Sequence, residues 1–125
     1  MTGWEVRFFD EFKSEFHDLP RDVKLELGEV IDLLRKFGPD LGRPAVDTLN
    51  GSAFSNMKEI RVDVADDWYR FAFAFDPLRR AIVLCGGGKG GKSQKAFYKR
   101  LVVLADTRYA VHLEDIENDG SNDQS

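Results

Sequence analysis

Cysteine is nearly absent from the 125-residue sequence, which contains only Cys85. A single thiol excludes an internal disulfide framework and a cysteine-based zinc cluster. No apolar run approaches the ~18 residues that a transmembrane helix needs. The opening residues, MTGWE, lack the basic start and apolar stretch of a signal peptide. We therefore expect a cytoplasmic protein with no membrane partner, and the length and 42% hydrophobic content indicate one domain with one core.

The sequence also has few residues suited to metal-dependent or nucleophilic catalysis. It contains two histidines, and neither His17 nor His112 has the spacing of a metal-ligand set or a candidate nucleophile beside it. Cys85 ends an apolar run, so we expect a small buried side chain rather than a nucleophile. The sequence therefore predicts no metal site, no cofactor and no Ser/His or Cys/His catalysis.

Acidic residues are missing from one long segment. The chain has 18 basic and 22 acidic residues and a net charge of −4, yet residues 77–105 carry seven basic side chains and no acidic one. This segregation favours a binding site for a polyanion such as RNA or phosphate, with a solvated basic helix face as the alternative. Residues 114–125 contain five acidic residues and no basic one. We expect them to form a disordered tail after a domain spanning residues 1–113.

Hydrophobic periodicity predicts the order of the secondary-structure elements. A strand over residues 4–9 is followed by a short helix from Asp10 and by a second helix that begins at Pro20. Apolar residues of the second helix recur at the spacing of one helical face, and a Gly-Pro pair at positions 38–39 ends it. Period-two alternation then predicts strands near residues 60–64 and 68–75, and a continuous apolar run predicts a buried strand at residues 81–85. A last helix, capped by Ser93, is expected to end near Leu113.

These elements predict an α+β fold. Three consecutive strands joined by short turns indicate an antiparallel meander, so the sheet is expected to have about four strands and to be mostly antiparallel. The N-terminal helix pair packs against it, and a C-terminal helix follows.

Two arginines share the polar face of this meander. Arg70 alternates with two alanines on its strand, and Arg61 has the same parity on the preceding strand, so a hairpin brings both cations to one side. A long cation above small residues predicts a shallow concave surface that could bind an anion. The structural alternative is that both arginines are ordinary exposed sheet residues paired with Glu59 and Asp63.

Residues 86–93, GGGKGGKS, match the P-loop pattern and lie between an apolar strand and a predicted helix. In a P-loop, Lys92 would bind phosphates and Ser93 would bind Mg²⁺. Only 32 residues follow Ser93, too few for the parallel strands and magnesium-binding Asp of such a fold. The sequence instead favours a flexible cationic loop that contacts a phosphate at a helix N-terminus.

In this order, the elements resemble RelE/HigB-like toxins of bacterial type II toxin–antitoxin systems, especially the phage-derived group. The motifs that carry the resemblance are Asp10-Glu11-Phe12 with Leu19-Pro20, Phe37-Gly38-Pro39 before Leu49, MKEIRV at 57–62, WYRFAF at 68–73, AIVL at 81–84 and QKAFY at 94–98. They cover roughly residues 4–112. The resemblance implies a RelE-like fold.

The resemblance also implies a function. Such toxins cleave mRNA without a metal, usually in the ribosomal A site, and are neutralised by a helix-turn-helix antitoxin through which promoter DNA is bound. The implied catalytic residues are Arg61, Arg70, Lys89, Lys92 and Tyr98. The implied RNA-binding residues are Lys95, Lys99, Arg100, Trp68 and Glu59. Some members carry lysine where this chain has Glu59, which could act as a general base or pair with Arg61.

Two other functions fit the same fold. ParE-like relatives poison DNA gyrase instead of cutting RNA, and sequence separates the two classes poorly. A catalytically inactive relative that only binds the antitoxin or regulates is the third possibility. Because affinity for free RNA grows with the number of phosphates neutralised, the net charge favours a toxin that is guided by the ribosome over a free-standing nuclease.

Overall fold

The computed structural model describes residues 3–123. The elements, in chain order, are β1 (Glu5–Phe8), α1 (Asp10–His17), α2 (Arg21–Phe37), a 3-10 turn (Gly38–Asp40), β2 (Val46–Thr48), β3 (Met57–Val64), β4 (Asp67–Phe75), β5 (Arg80–Gly88) and α3 (Gln94–Asp123). None of the helices in this part of the chain is long and apolar enough to cross a membrane.

One five-stranded sheet, with the order β1-β5-β4-β3-β2, organises the molecule. Strands β3, β4 and β5 form the predicted antiparallel meander, and β1 pairs in parallel with β5. The predicted α+β class and the mostly antiparallel sheet are therefore confirmed. The additional strand, β2, was not predicted because its three residues show no alternation; pairing with β3 defines it.

Helices cover both faces of the sheet. One face carries the large apolar side chains of β3 and β4, such as Phe71 and Phe73, which pack against α1 and α2. The other face carries Ala72 and Ala74, and α3 packs there through residues that include Leu101. Because the alanines are small, the helix can approach the strands closely. We expected a shallow open surface beside Arg70, and this expectation is wrong because α3 fills the space.

Strand β5 extends further than predicted, through Gly88. Residues 86–88 pair with β4 and do not form a loop. A Cβ at Gly86 would overlap the Phe71 ring and the Arg70 carbonyl, so glycine permits the close approach of the two strands. Within the described chain, β5 has an antiparallel neighbour and only a helix after it. This topology lacks the downstream strand that a P-loop site needs.

Helix α3 also extends beyond its predicted end near Leu113. The structure continues the helix through Asp123 where we expected a disordered tail. Extending a formed helix requires ordering only one residue for each new hydrogen bond, and Glu is a good helix former, so a polar segment can remain helical. Gln124 and Ser125 lie outside the described residues. The assignment of residues 1–113 as the complete domain stays a prediction.

Side chains tie α3 to the rest of the fold along its length. Arg108 donates from both terminal nitrogens to Glu15 of α1, at 2.9 and 2.6 Å. Further along, His112 contacts the Asp76 carboxylate at 2.8 Å, and Arg80 donates to the same carboxylate. These contacts fix the position of α3 over β4 and β5, and therefore of its first turns over Arg70.

Candidate active site

Arg70 lies in the middle of β4 and is only 2% exposed. Its Nη1 donates to Asp63 Oδ1 at 2.9 Å and to the Tyr69 carbonyl at 2.8 Å. The guanidinium carbon lies 4.3 Å from the centre of a Trp68 ring. Its Nε is buried without a hydrogen-bond partner in the described structure. A buried cation whose Nε–H has no partner is suited to bind an anionic ligand.

Tyr98 joins the start of α3 to β3 across this arginine. Its hydroxyl donates to Glu59 Oε1 at 2.7 Å, and Glu59 is only 6% exposed. Glu59 lies opposite Ala72 in the register of β3 and β4. Burial raises the pKa of Tyr98 to about 12, the Glu59 carboxylate adds to the rise, and Arg70 partly offsets it. Tyr98 therefore keeps its proton at neutral pH and can donate it in the hydrogen bond to Glu59.

An aromatic cluster covers Arg70. The Trp68 ring meets Phe97 and Tyr98 edge-on, with centroid distances of 5.1 and 5.7 Å. The Lys89 amide donates to the Trp68 carbonyl at 3.3 Å, which positions the start of the β5–α3 loop beside this cluster. Phe97 was not predicted as part of the site, although its place next to Tyr98 in the helix was visible in the sequence.

Arg61 lies directly opposite Arg70 in the register of β3 and β4, so the two arginines share one side of the sheet, as predicted from strand parity. It is not an isolated cation, because its Nη1 lies 3.9 Å from Asp47 Oδ2. Asp47 belongs to β2. Because this strand was not predicted from the sequence, its contact with Arg61 was not predicted either. The structural alternative of two exposed arginines is wrong for Arg70, which is buried, but its expected pairing with Asp63 is present.

In the part of the chain that the structure describes, the other predicted basic residues on the loop and on α3 are not bonded to Arg70. Lys92, Lys95, Lys99 and Arg100 are exposed, and in the described structure no hydrogen bond or ion pair joins them to the Arg70 site. All except Lys95 line a groove of about 580 Å³ between the end of β5 and α3. Cys85 at the base of this groove is buried, and burial raises its pKa to about 12, so it is a packed thiol as predicted.

Residues 14–110 match the family described as phage-derived protein Gp49-like. The chain belongs to this Gp49-like family. It is 47% identical over 93 residues to the candidate toxin HigB3 of Mycobacterium tuberculosis. This match covers 74% of this chain and 79% of HigB3. It is 42% identical over 118 residues to the candidate toxin HigB2 of the same organism. That match covers 94% of this chain but spans only 58% of the longer HigB2.

A solved structure supports the same relationship at the level of the fold. The chain is similar to a double mutant of E. coli toxin RelE in the free state, with a TM-score of 0.56 over 81% of this chain and 95% of RelE. The sequence identity is 14%, so this likeness concerns the fold alone. The resemblance to RelE/HigB-like toxins and the RelE-like fold predicted from it are confirmed.

Proposed function

We propose that this chain is the toxin of a type II toxin–antitoxin system and acts as a metal-independent, ribosome-dependent mRNA endoribonuclease. The observation that carries the proposal is the buried Arg70, whose unpartnered Nε lies under Trp68 beside the Glu59–Tyr98 pair. Membership of the Gp49-like family and similarity to the candidate toxins HigB3 and HigB2 support it.

The residues can supply a complete cleavage step. Glu59 accepts the proton of a ribose 2′-hydroxyl, whose oxygen attacks the adjacent phosphorus. Arg70 donates from Nε to a non-bridging phosphate oxygen and stabilises its developing charge. The bond to the 5′-oxygen breaks, and Lys89 donates a proton to this leaving group. The products are a 2′,3′-cyclic phosphate and a 5′-hydroxyl, so the step needs no oxidant or additional reactant.

Access to Arg70 requires movement of its aromatic cover. With only 2% of Arg70 exposed, a phosphate reaches Nε after the Trp68 ring leaves the guanidinium. The displaced indole can then stack against an unpaired base, which is a common mode of single-stranded RNA recognition. Tyr98 is a positioning residue in this scheme because its hydroxyl donates to Glu59 and holds that carboxylate in place.

The net charge of −4 gives the chain little general affinity for RNA. The ribosome therefore presents the mRNA, while Arg61 and Lys95, which do not line the groove between β5 and α3, contact the surrounding phosphates. The partner is a helix-turn-helix antitoxin, through which the complex reaches promoter DNA.

Inducible expression tests this proposal. Messenger RNA 5′ ends are mapped for the wild type, for Glu59→Gln and for Glu26→Gln, a matched change of an exposed glutamate on α2. Each is measured with and without an inhibitor that empties the ribosome. The amide of Glu59→Gln still accepts from Tyr98 but cannot take a proton, so we expect a folded protein that cleaves at least about 100-fold more slowly. Wild type and Glu26→Gln should cut in frame and only during translation.

The alternatives give different results. Growth arrest with a DNA-damage response and no cuts would identify a gyrase poison. A folded wild type that causes no arrest would identify an inactive relative. Cleavage that is unchanged in Glu59→Gln would remove Glu59 from the role of base.

A further inference from the structure

The groove between β5 and α3 has an apolar wall that the fold leaves uncovered. Residues 85–88 of β5 form one side, and Leu101, Val103 and Leu104 of α3 contribute to the other. Val103 is 63% exposed and Leu104 is 40% exposed. Adjacent exposed aliphatic side chains that line a groove are typical of a binding surface.

The β5 side of the groove is a sheet edge. Strand β1 pairs with β5 only from Arg80 to Val83, and Arg108 donates to the Leu84 carbonyl at 2.7 Å. Within residues 3–123, no strand pairs with the outer edge of residues 85–88, although their inner edge pairs with β4. Three of these four residues are glycine, so no large side chain obstructs an added strand. Such an edge offers main-chain hydrogen bonds to an extended peptide.

The charge of the groove is positive. Lys92, Lys99 and Arg100 line it, and no acidic residue of the described chain does. Two carboxylates have charges that act on Cys85, Glu15 and Asp106. Glu15 is already paired with Arg108, and Asp106 accepts hydrogen bonds from Ser52 and the Ala53 amide. Charge complementarity therefore favours an acidic ligand.

We propose that this groove binds an extended segment of the cognate antitoxin, rich in alternating acidic and aliphatic residues, as an additional strand on β5. The identity of the partner rests on the proposed toxin function. The main chain of the segment pairs with residues 85–88, its aliphatic side chains cover Val103 and Leu104, and its carboxylates meet the three cations. RNA fits this surface less well, because it has no peptide backbone for a strand edge and the wall is aliphatic where bases stack on aromatic rings.

Phe97 connects this groove to the candidate active site. It lines the groove and also contacts the Trp68 ring at 5.1 Å. A segment bound in the groove holds Phe97 in place, and Phe97 in turn holds Trp68 over Arg70. Binding here would therefore inhibit cleavage without occupying the Arg70 site.

The test uses the complex of the full chain with the antitoxin encoded by the neighbouring gene. Amide hydrogen exchange is compared for the free and bound chain, and fluorescein-labelled peptides that tile the antitoxin are titrated by anisotropy. The variant Leu104→Glu places a negative charge where the acidic segment would bind and removes the apolar side chain that the segment would cover. Leu25→Glu is the matched control, since Leu25 lies on α2 and is 60% exposed.

We expect the amides of residues 85–88 to become protected and an acidic peptide to account for the binding. Leu104→Glu should raise its Kd at least about tenfold, while Leu25→Glu leaves it unchanged. In cells, Leu104→Glu should still arrest growth but resist neutralisation by the antitoxin.

Unchanged exchange at residues 85–88, an absence of antitoxin binding, or equal Kd values for the two variants would overturn the proposal. Protection of the same amides by a uridine oligonucleotide alone would identify an RNA site instead. Protection that appears with concentration-dependent dimerisation would identify a second copy of this chain. Binding and exchange do not depend on cleavage, so they remain informative even if the chain proves to be no ribonuclease.

Discussion

The hydrogen bond from Tyr98 to Glu59 should make a large contribution to the stability of the fold. Tyr98→Phe deletes the hydroxyl and leaves a carboxylate that is only 6% exposed without its donor at 2.7 Å. Hydrogen bonds to charged groups contribute about 1.5–3 kcal/mol. Because little water can replace the lost donor at Glu59, we expect the upper part of this range, about 2–3 kcal/mol.

Urea denaturation gives the free energy of unfolding directly, and in a domain of this size the loss corresponds to a fall of roughly 8–12 °C in Tm. Glu59→Gln keeps an acceptor for the phenol, so we expect it to cost less than about 1 kcal/mol. In the Gln background, Tyr98→Phe should cost only about 1 kcal/mol, since a neutral amide needs the donor less than a carboxylate does. The double-mutant cycle should therefore show a coupling of about 1–2 kcal/mol.

Tyr69→Phe is the control, because Tyr69 packs on the opposite face of the sheet, with the α2 side of the core. It should cost less than about 0.5 kcal/mol. The reasoning is refuted if Tyr98→Phe costs no more than Tyr69→Phe. It is also refuted if its cost is the same in the Glu and Gln backgrounds within about 0.5 kcal/mol.

Three further predictions concern positions outside this pair. Gly86→Ala forces a Cβ into the backbone of β4 and should lower the free energy of unfolding in urea by about 2 kcal/mol, while Gly87→Ala, where a Cβ meets nothing within 4 Å, should be close to neutral. Burial raises the pKa of Asp76, but hydrogen bonds from His112 and a nearby arginine outweigh it, and the net pKa is lowered from 3.8. The stability that Asp76 contributes is therefore complete above about pH 4 and is lost as pH falls through the lowered value; Asp76→Asn should flatten this acid limb in pH-dependent denaturation. Because burial raises the pKa of Cys85 to about 12, the native thiol should react with Ellman's reagent at pH 8 at least about 100-fold more slowly than in the urea-unfolded chain, and equal rates would contradict its burial.

The elements with strong periodicity were predictable. Strands β3 and β4 alternate cleanly, and turns that contain Asp66 and Asp76-Pro77 separate the strands of the meander, so local signals and tertiary pairing agree. Strand β2 has no local signal and exists through its partner, β3. The glycines of β5 look like a loop because glycine has low strand propensity, while in the structure their lack of side chains allows β5 to approach β4.

The candidate site was predictable as a set of faces but not as a pocket. Strand parity placed Arg61 and Arg70 on the same face of the sheet, and the hairpin register then sets them directly opposite each other. Burial of Arg70 depends on where α3 crosses the sheet, which no local pattern encodes. The alanines at positions 72 and 74 were the available signal. Small side chains on a strand face indicate an open surface or a closely packed helix equally well, and the structure has the helix.

The buried position of Arg70 is itself an argument for ligand binding. A guanidinium with Nε unsatisfied in the interior loses about 1–3 kcal/mol compared with a fully bonded one, and its exposed partner Asp63 binds only Nη1. A purely structural guanidinium would be expected to have a hydrogen-bond acceptor for every buried N–H. A phosphate oxygen at Nε would restore the missing bond, and it would bind most strongly when its charge is greatest, as in the transition state of phosphoryl transfer. In the proposed mechanism, the stability given up in the free protein is thus recovered on binding, once the Trp68 ring leaves the guanidinium.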